Sequence, residues 1–124
     1  VEVDILGRAI PIKAVCEDVA WFEFEGLCDG PRSQNDYIEL GKLYHAVLIS
    51  NVPVMGVKND DMARRYINLI DEFYDRGVKV IMSADAPIHE IYAGGSLEFA
   101  FQRTTSRMLE MQSHEYLARE HKED

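Results

Sequence analysis

The chain has 124 residues, a length that fits one compact domain, and 47% of them are apolar, enough to bury a core. Acids outnumber Lys and Arg 22 to 13 for a net charge of -9, which repels phosphate backbones and argues against autonomous nucleic-acid binding. No stretch reaches the ~20 apolar residues of a transmembrane segment, and a start at Val1 without Met or a basic-then-apolar leader predicts an excised piece of a longer protein with no secretory signal.

The first quarter reads as strands. Val3, Ile5, Ile10 and Ile12 alternate with polar residues around a turn at Gly7-Arg8. Pro11 confines the second of these strands to an edge or interrupts it. Residues 19–24 are rich in β-formers, with Ala20, Phe22 and Phe24 on one face and Val19, Trp21 and Glu23 on the other. Asp29-Gly30-Pro31 then breaks the chain. Ser33 is placed to cap a helix through Tyr37, Leu40 and Leu43. Residues 46–49 form a short, fully apolar run of the kind found in a buried central strand, and Asn51, Pro53 and Gly56 end it.

Residues 60–76 give the clearest helix. Asn59 or Asp60 caps it, early acids suit its dipole, and Ala63, Tyr66, Ile67, Ile70, Phe73 and Tyr74 make one apolar stripe. Asp60–Arg64, Asp61–Arg65 and Glu72–Arg76 stand at i,i+4 spacing and read as a solvated face. Gly77 stops the helix. Residues 78–82 read as a second buried strand, running into Ser83 and Pro87, and Pro87 opens a short helix through Ile91 and Tyr92. After the Gly94-Gly95 joint the pattern is helical again, with Phe101, Met108, Leu109 and Met111 expected inside. Ser113 caps a last helix holding Tyr116 and Leu117, and residues 121–124 read as a frayed tail. Strand, helix and strand with short joins imply a parallel βαβ unit. The fold class is therefore α/β: a mixed sheet with an N-terminal antiparallel hairpin region and a parallel βαβ unit flanked by helices, in one domain covering residues 1–124.

Motifs for autonomous chemistry are missing. No G-x-x-x-x-G-K-[ST] stretch is present to cradle phosphates, Gly94-Gly95-Ser96 lacks the lysine, and no serine lies in a G-x-S-x-G elbow. His45, His89, His114 and His121 lack the helical spacing of a zinc site and read as unligated surface residues. Cys16 and Cys28 are too far apart for a zinc knuckle or a redox pair; both sit among apolar residues and are expected to be small buried hydrophobes in a reducing compartment.

Two constellations remain. From residue 46 the order is apolar strand, acidic helix, apolar strand with a polar end, proline, short helix and arginines. That is the order from the Walker B strand onward in an AAA+ core, and also that of any parallel α/β fold with surface arginines. The first strand ends in Ser50-Asn51 where Walker B would supply an acid. Ser83 would stand at a sensor position, and Arg103 and Arg107 near the place of an arginine finger. The second constellation is residues 30–37, where Arg32, Ser33 and Asn35 lie at a helix start that favours anions or serves for interaction; a cap plus a salt bridge to Asp36 or Glu39 explains the same residues.

Specific stretches resemble the C-terminal region of the ZapE-like family of AAA+-type P-loop cell-division ATPases. They are Val19-Ala20-Trp21-Phe22-Glu23-Phe24 with Leu27-Cys28, Gly30-Pro31-Arg32-Ser33-Gln34-Asn35-Asp36-Tyr37-Ile38, residues 45–55, residues 63–67 and 71–76, residues 78–84, Phe101-Gln102-Arg103-Thr104, Ser106-Arg107, Met111-Gln112-Ser113 and Glu115-Tyr116-Leu117. The resemblance covers nearly the whole chain in order. It implies an ATPase parent acting in the cytoplasm at the division ring, or, for mitochondrial relatives of the lactation-elevated type, in protein quality control. It also implies that ATP and magnesium are held upstream, with no cofactor in this stretch. Three roles follow. The chain is an accessory module contacting the upstream ATPase core, further copies of itself or division proteins; or it contributes Arg103 or Arg107 in trans to ATP hydrolysis; or it is a separate enzyme using the residue 32–37 loop as an anion site.

Overall fold

The computed structural model describes residues 1–124. Strands β1 (Glu2–Ile5) and β2 (Arg8–Pro11) pair antiparallel, with Ile5 opposite Arg8. Leu6 and Gly7 form the turn, one position earlier than the pattern suggests; their φ values of 53° and 83° are the left-handed pair that a two-residue hairpin loop requires. The hairpin buries Ile5 and Ile10.

The main sheet has four strands in the order β3 (Ala14–Cys16), β4 (Val19–Glu23), β5 (Ala46–Val52), β6 (Lys79–Ala84). β3 runs antiparallel to β4, whereas β4, β5 and β6 are mutually parallel. The βαβ unit read from the sequence is present as β5–α3–β6, with α3 spanning Asp60–Arg76. A second crossover precedes it, made of α1 (Phe24–Cys28) and α2 (Gln34–Leu43). Phe24 was expected to continue β4 and instead opens α1. Phe24, Leu27 and Cys28 then share one buried helical face.

α3 takes the predicted bounds. Ala63, Tyr66, Ile67, Ile70 and Phe73 are buried, joined by Leu69. Gly77 adopts φ 70° and its N–H closes the last turn on Phe73 and Tyr74 carbonyls. A side chain there would meet the Glu120 carbonyl at 2.7 Å as well as strain the backbone. The charges of α3 bond outside the helix: Asp60 accepts from the Ser96 hydroxyl at 2.6 Å, Arg65 donates to the Cys28 carbonyl at 3.2 Å, and Glu72 accepts from Gln34 at 2.9 Å.

After β6 only one 3₁₀ turn, Ile88–Glu90, follows Pro87. The helix expected to reach Tyr92 stops short, because residues 91–93 turn back onto Met55: the Met55 N–H donates to the Ile91 carbonyl and the Ala93 N–H to the Met55 carbonyl, both at 2.7 Å. α4 (Glu98–Glu110) buries Phe101, Met108 and Met111 follows it inside, but Leu109 is 40% exposed and Thr104 is buried instead. Leu109 lies about 100° round the helix from Met108, which turns it to solvent. Ser113 caps α5 (His114–Leu117), its hydroxyl accepting from the Tyr116 N–H at 3.1 Å. The tail is docked rather than frayed. The Lys122 N–H donates to the Arg76 carbonyl at 2.8 Å, and His121 Nε2 lies 2.5 Å from the Gly41 carbonyl.

Right-handed crossovers between successive neighbouring strands put α2 and α3 on the same side of the sheet. Burial follows that rule. Ala20, Phe22, Val47 and Ile49 point into a core of 28 buried residues, while Trp21 is 38% and Ile81 64% exposed. Residues 78–82 are thus not a buried strand: β6 is an edge with one open face. Cys16, expected inside, is exposed on the other edge strand, and Cys28 is buried as expected.

Candidate functional site

Ligands of open α/β sheets bind outside the carboxyl ends of the parallel strands. Here those ends carry Glu23 on β4, Ser50 and Asn51 on β5 and Ser83 on β6. Glu23 lies beside Ser50 in register. One Glu23 carboxylate oxygen accepts from Lys13 Nζ at 2.8 Å and the other from Asn51 Nδ2 at 2.9 Å. These two donors, Lys13 foremost, hold its carboxyl below the ordinary 4.5. Trp21 Nε1 donates to Ser50 Oγ at 2.7 Å, and Lys13 Nζ stands 4.7 Å from the Trp21 ring centroid.

Asn51 is held at φ 63°, where the ladder to β6 shifts register between Ile49 and Val52. The irregularity turns its N–H toward Ser83 Oγ, 2.9 Å away. A hydrogen-bonded line Lys13–Glu23–Asn51–Ser83 therefore crosses all three parallel strands. Ser83 occupies the strand-end position expected of it, but the centre of the line is Glu23 and Asn51. The outward parity of Glu23 in residues 19–24 is a sequence signal for it; the bulge that aims Asn51 has none.

The line is a polar clasp across the strand ends. Ser50 Oγ accepts from Trp21 and Ser83 Oγ from the Asn51 N–H, and neither hydroxyl donates to a histidine or lysine base. β5 ends without an acid, and no group of three or more His, Cys, Asp and Glu side chains converges as metal ligands. The donor set for a magnesium–nucleotide complex does not fit here.

Arg103 and Arg107 converge. Arg103 Nη2 lies 3.0 Å from one oxygen of Asp71 on α3, and Arg107 pairs with the other. Arg107 also stacks over Tyr74, 4.9 Å from the ring centroid. The Arg103 side chain is 64% exposed and that of Arg107 24%. The Arg32 guanidinium donates to the Gly26 carbonyl at 3.1 Å and the Pro31 carbonyl at 3.0 Å. The Ser33 N–H donates to Asp36 at 2.8 Å, and Asp36, fully buried, pairs with Arg8 of the hairpin. The start of α2 thus carries its own carboxylate, with Asn35 exposed beside it.

Comparison with known proteins gives a consistent result. The AFG1-like ATPase family model matches residues 1–120. The cell division protein ZapE of Escherichia coli K12 is 54% identical over 118 residues, covering 95% of the chain and 32% of that protein. Lactation elevated protein 1 homolog B of Danio rerio is 32% identical over 145 residues, covering 91% of the chain and 29% of that protein. The chain spans about a third of the length of these relatives. No solved structure matches it.

Proposed function

Because this chain belongs to the AFG1-like ATPase family, we propose that it is the C-terminal accessory and interaction module of a ZapE-like cytoplasmic division ATPase. It couples ATP hydrolysis by an upstream P-loop core to contacts with that core, with neighbouring subunits or with division proteins. One observation carries this reading: a match along almost the whole chain that covers about a third of each relative, in a sequence with no phosphate-cradling loop. ATP and magnesium belong to the upstream core. Arg32, Ser33 and Asn35 are then an interaction loop, since Asp36 already supplies the negative charge at the start of α2.

Titration of ATP–magnesium into this chain and into a longer form that includes the upstream region tests the assignment. Heat of binding only from the longer form supports it. Binding by the 124-residue chain itself overturns it.

A second reading is favoured by the exposure of Arg103. Released from Asp71, it would reach the nucleotide of a neighbouring subunit, with Arg107 holding α4 in place through Asp71 and Tyr74. Arg103→Ala in the full ATPase then lowers turnover by about 10³-fold at saturating ATP while the oligomer persists. Unchanged turnover removes this reading.

A further inference from the structure

A parallel sheet is ordinarily covered on both faces, because its strands are apolar on both. This one is covered on one. The opposite face carries a row set by the register: Ala14 beside Trp21, Trp21 beside Leu48, and Leu48 beside Ile81. Cys16 and Val19 flank that row and also pair with one another. Trp21 and Ile81 are exposed, Leu48 is half-buried, and the surface between β3 and β5 forms an apolar hollow of about 210 Å³. The polar line from Lys13 to Ser83 bounds this face on the side of the strand ends. An apolar centre beside a polar margin is the anatomy of a protein contact.

The sequence itself is written for burial here. Residues 46–49 form a continuous apolar run, Val80, Ile81 and Met82 form another, and Cys16 follows Ala14 and Val15. Each of these segments presents apolar surface to solvent on this same face. About two-thirds of the length of the relatives lies outside this chain, which is the obvious supply of a cover.

We infer that the bare sheet face, centred on Trp21, Leu48 and Ile81, is where the ATPase region of the same polypeptide packs. The inference rests on the accessory-module reading and names its contact surface. The cover supplies apolar side chains to the Trp21–Leu48–Ile81 row and polar groups opposite Glu23 and Ser83. The long Trp21 row makes it a layer lying across all four strands rather than a single residue plugging a pocket.

Cys16 is a built-in reporter, being exposed on this face, with buried Cys28 as the internal control. N-ethylmaleimide labelling, located by peptide mass spectrometry, is followed in the isolated chain and in the full-length parent. Cys16 should label freely in the chain and about tenfold or more slowly in the parent. Leu48→Lys in the parent should restore fast labelling. Ile81→Lys serves as a second variant, at a site exposed enough to leave the isolated chain's melting temperature unchanged. Equal labelling of Cys16 in chain and parent overturns the inference. So does protection that already appears in the isolated chain and grows with its concentration, since a second copy is then the cover. If the chain binds the separately made core saturably while Cys16 stays reactive, the accessory reading stands and only the surface is wrong. If chain and core do not associate at all, the accessory reading fails and takes this inference with it.

Discussion

The two faces of the central sheet are made from alternating residues of the same strands, yet they have different fates. Ala20, Phe22, Val47 and Ile49 lie on the helix-covered side and are almost wholly removed from water. Trp21, Leu48 and Ile81, one residue along, retain solvent contact. At the strand centres the residues are apolar on both sides, so composition alone does not decide burial there. The crossovers decide it: the β4–β5 and β5–β6 connections join adjacent parallel strands, and their helices α2 and α3 pack against each other on one side. The difference teaches that an apolar strand run reports the need for cover, not its source.

The contrast is open to attack by substitution. Phe73→Ala removes a fully buried ring from the α3 stripe and should cost about 3–5 kcal/mol in urea unfolding, the largest effect here. Asp36→Ala removes both the Arg8 ion pair and the acceptor of the Ser33 N–H, and about 2 kcal/mol should be lost in the same measurement. Thr104→Val should go the other way. Its hydroxyl oxygen is buried with no hydrogen-bond partner, and an isosteric methyl should raise stability by about 1 kcal/mol. On the bare face, Ile81→Lys in the isolated chain should stay within about 0.5 kcal/mol of the parent sequence. A large loss there would mean the two faces are energetically alike and the comparison is wrong.

The smallest effect concerns pH. Lys13 and Asn51 depress the Glu23 carboxyl below 4.5 in the folded chain. A depressed folded value makes its contribution present above the unfolded value and lost as pH falls through the folded one. Thermal melts of the wild type and Glu23→Gln from about pH 6 to about pH 3 should therefore converge on the acidic side. Parallel curves would show that the Lys13–Glu23–Asn51 contacts carry no net stability.

Much of the fold was legible where a single chain segment carries its own signal. α3 is an example: its stripe, its acidic start and Gly77 fix both ends without help from the rest of the molecule. The parallel β5–α3–β6 unit followed from the same information. What was not legible depends on partners distant in sequence. β6 was read as buried, and Val80, Ile81 and Met82 are indeed apolar, but no strand lies beyond it in this chain. Residues 121–124 read as a loose end because the carbonyls that receive them belong to Gly41 and Arg76. Of the candidate site, the residues 103 and 107 arginines were visible, whereas their shared Asp71 was not. Glu23 and Asn51 meet only because the register places β4 and β5 side by side and a bulge rotates one residue.

The docked tail has a practical side. The Lys122 amide lies outside every helix and strand, where exchange with solvent deuterium is ordinarily fast. Its bond to the Arg76 carbonyl ties it to the last turn of α3, and Lys79 reinforces the clasp by donating to the Arg119 and Gly77 carbonyls, each at 2.7 Å. The amide will therefore exchange when the helix end opens. It is a natural probe of how firmly the Gly77 corner is closed, and an affinity handle fused directly after Asp124 would pull on that corner.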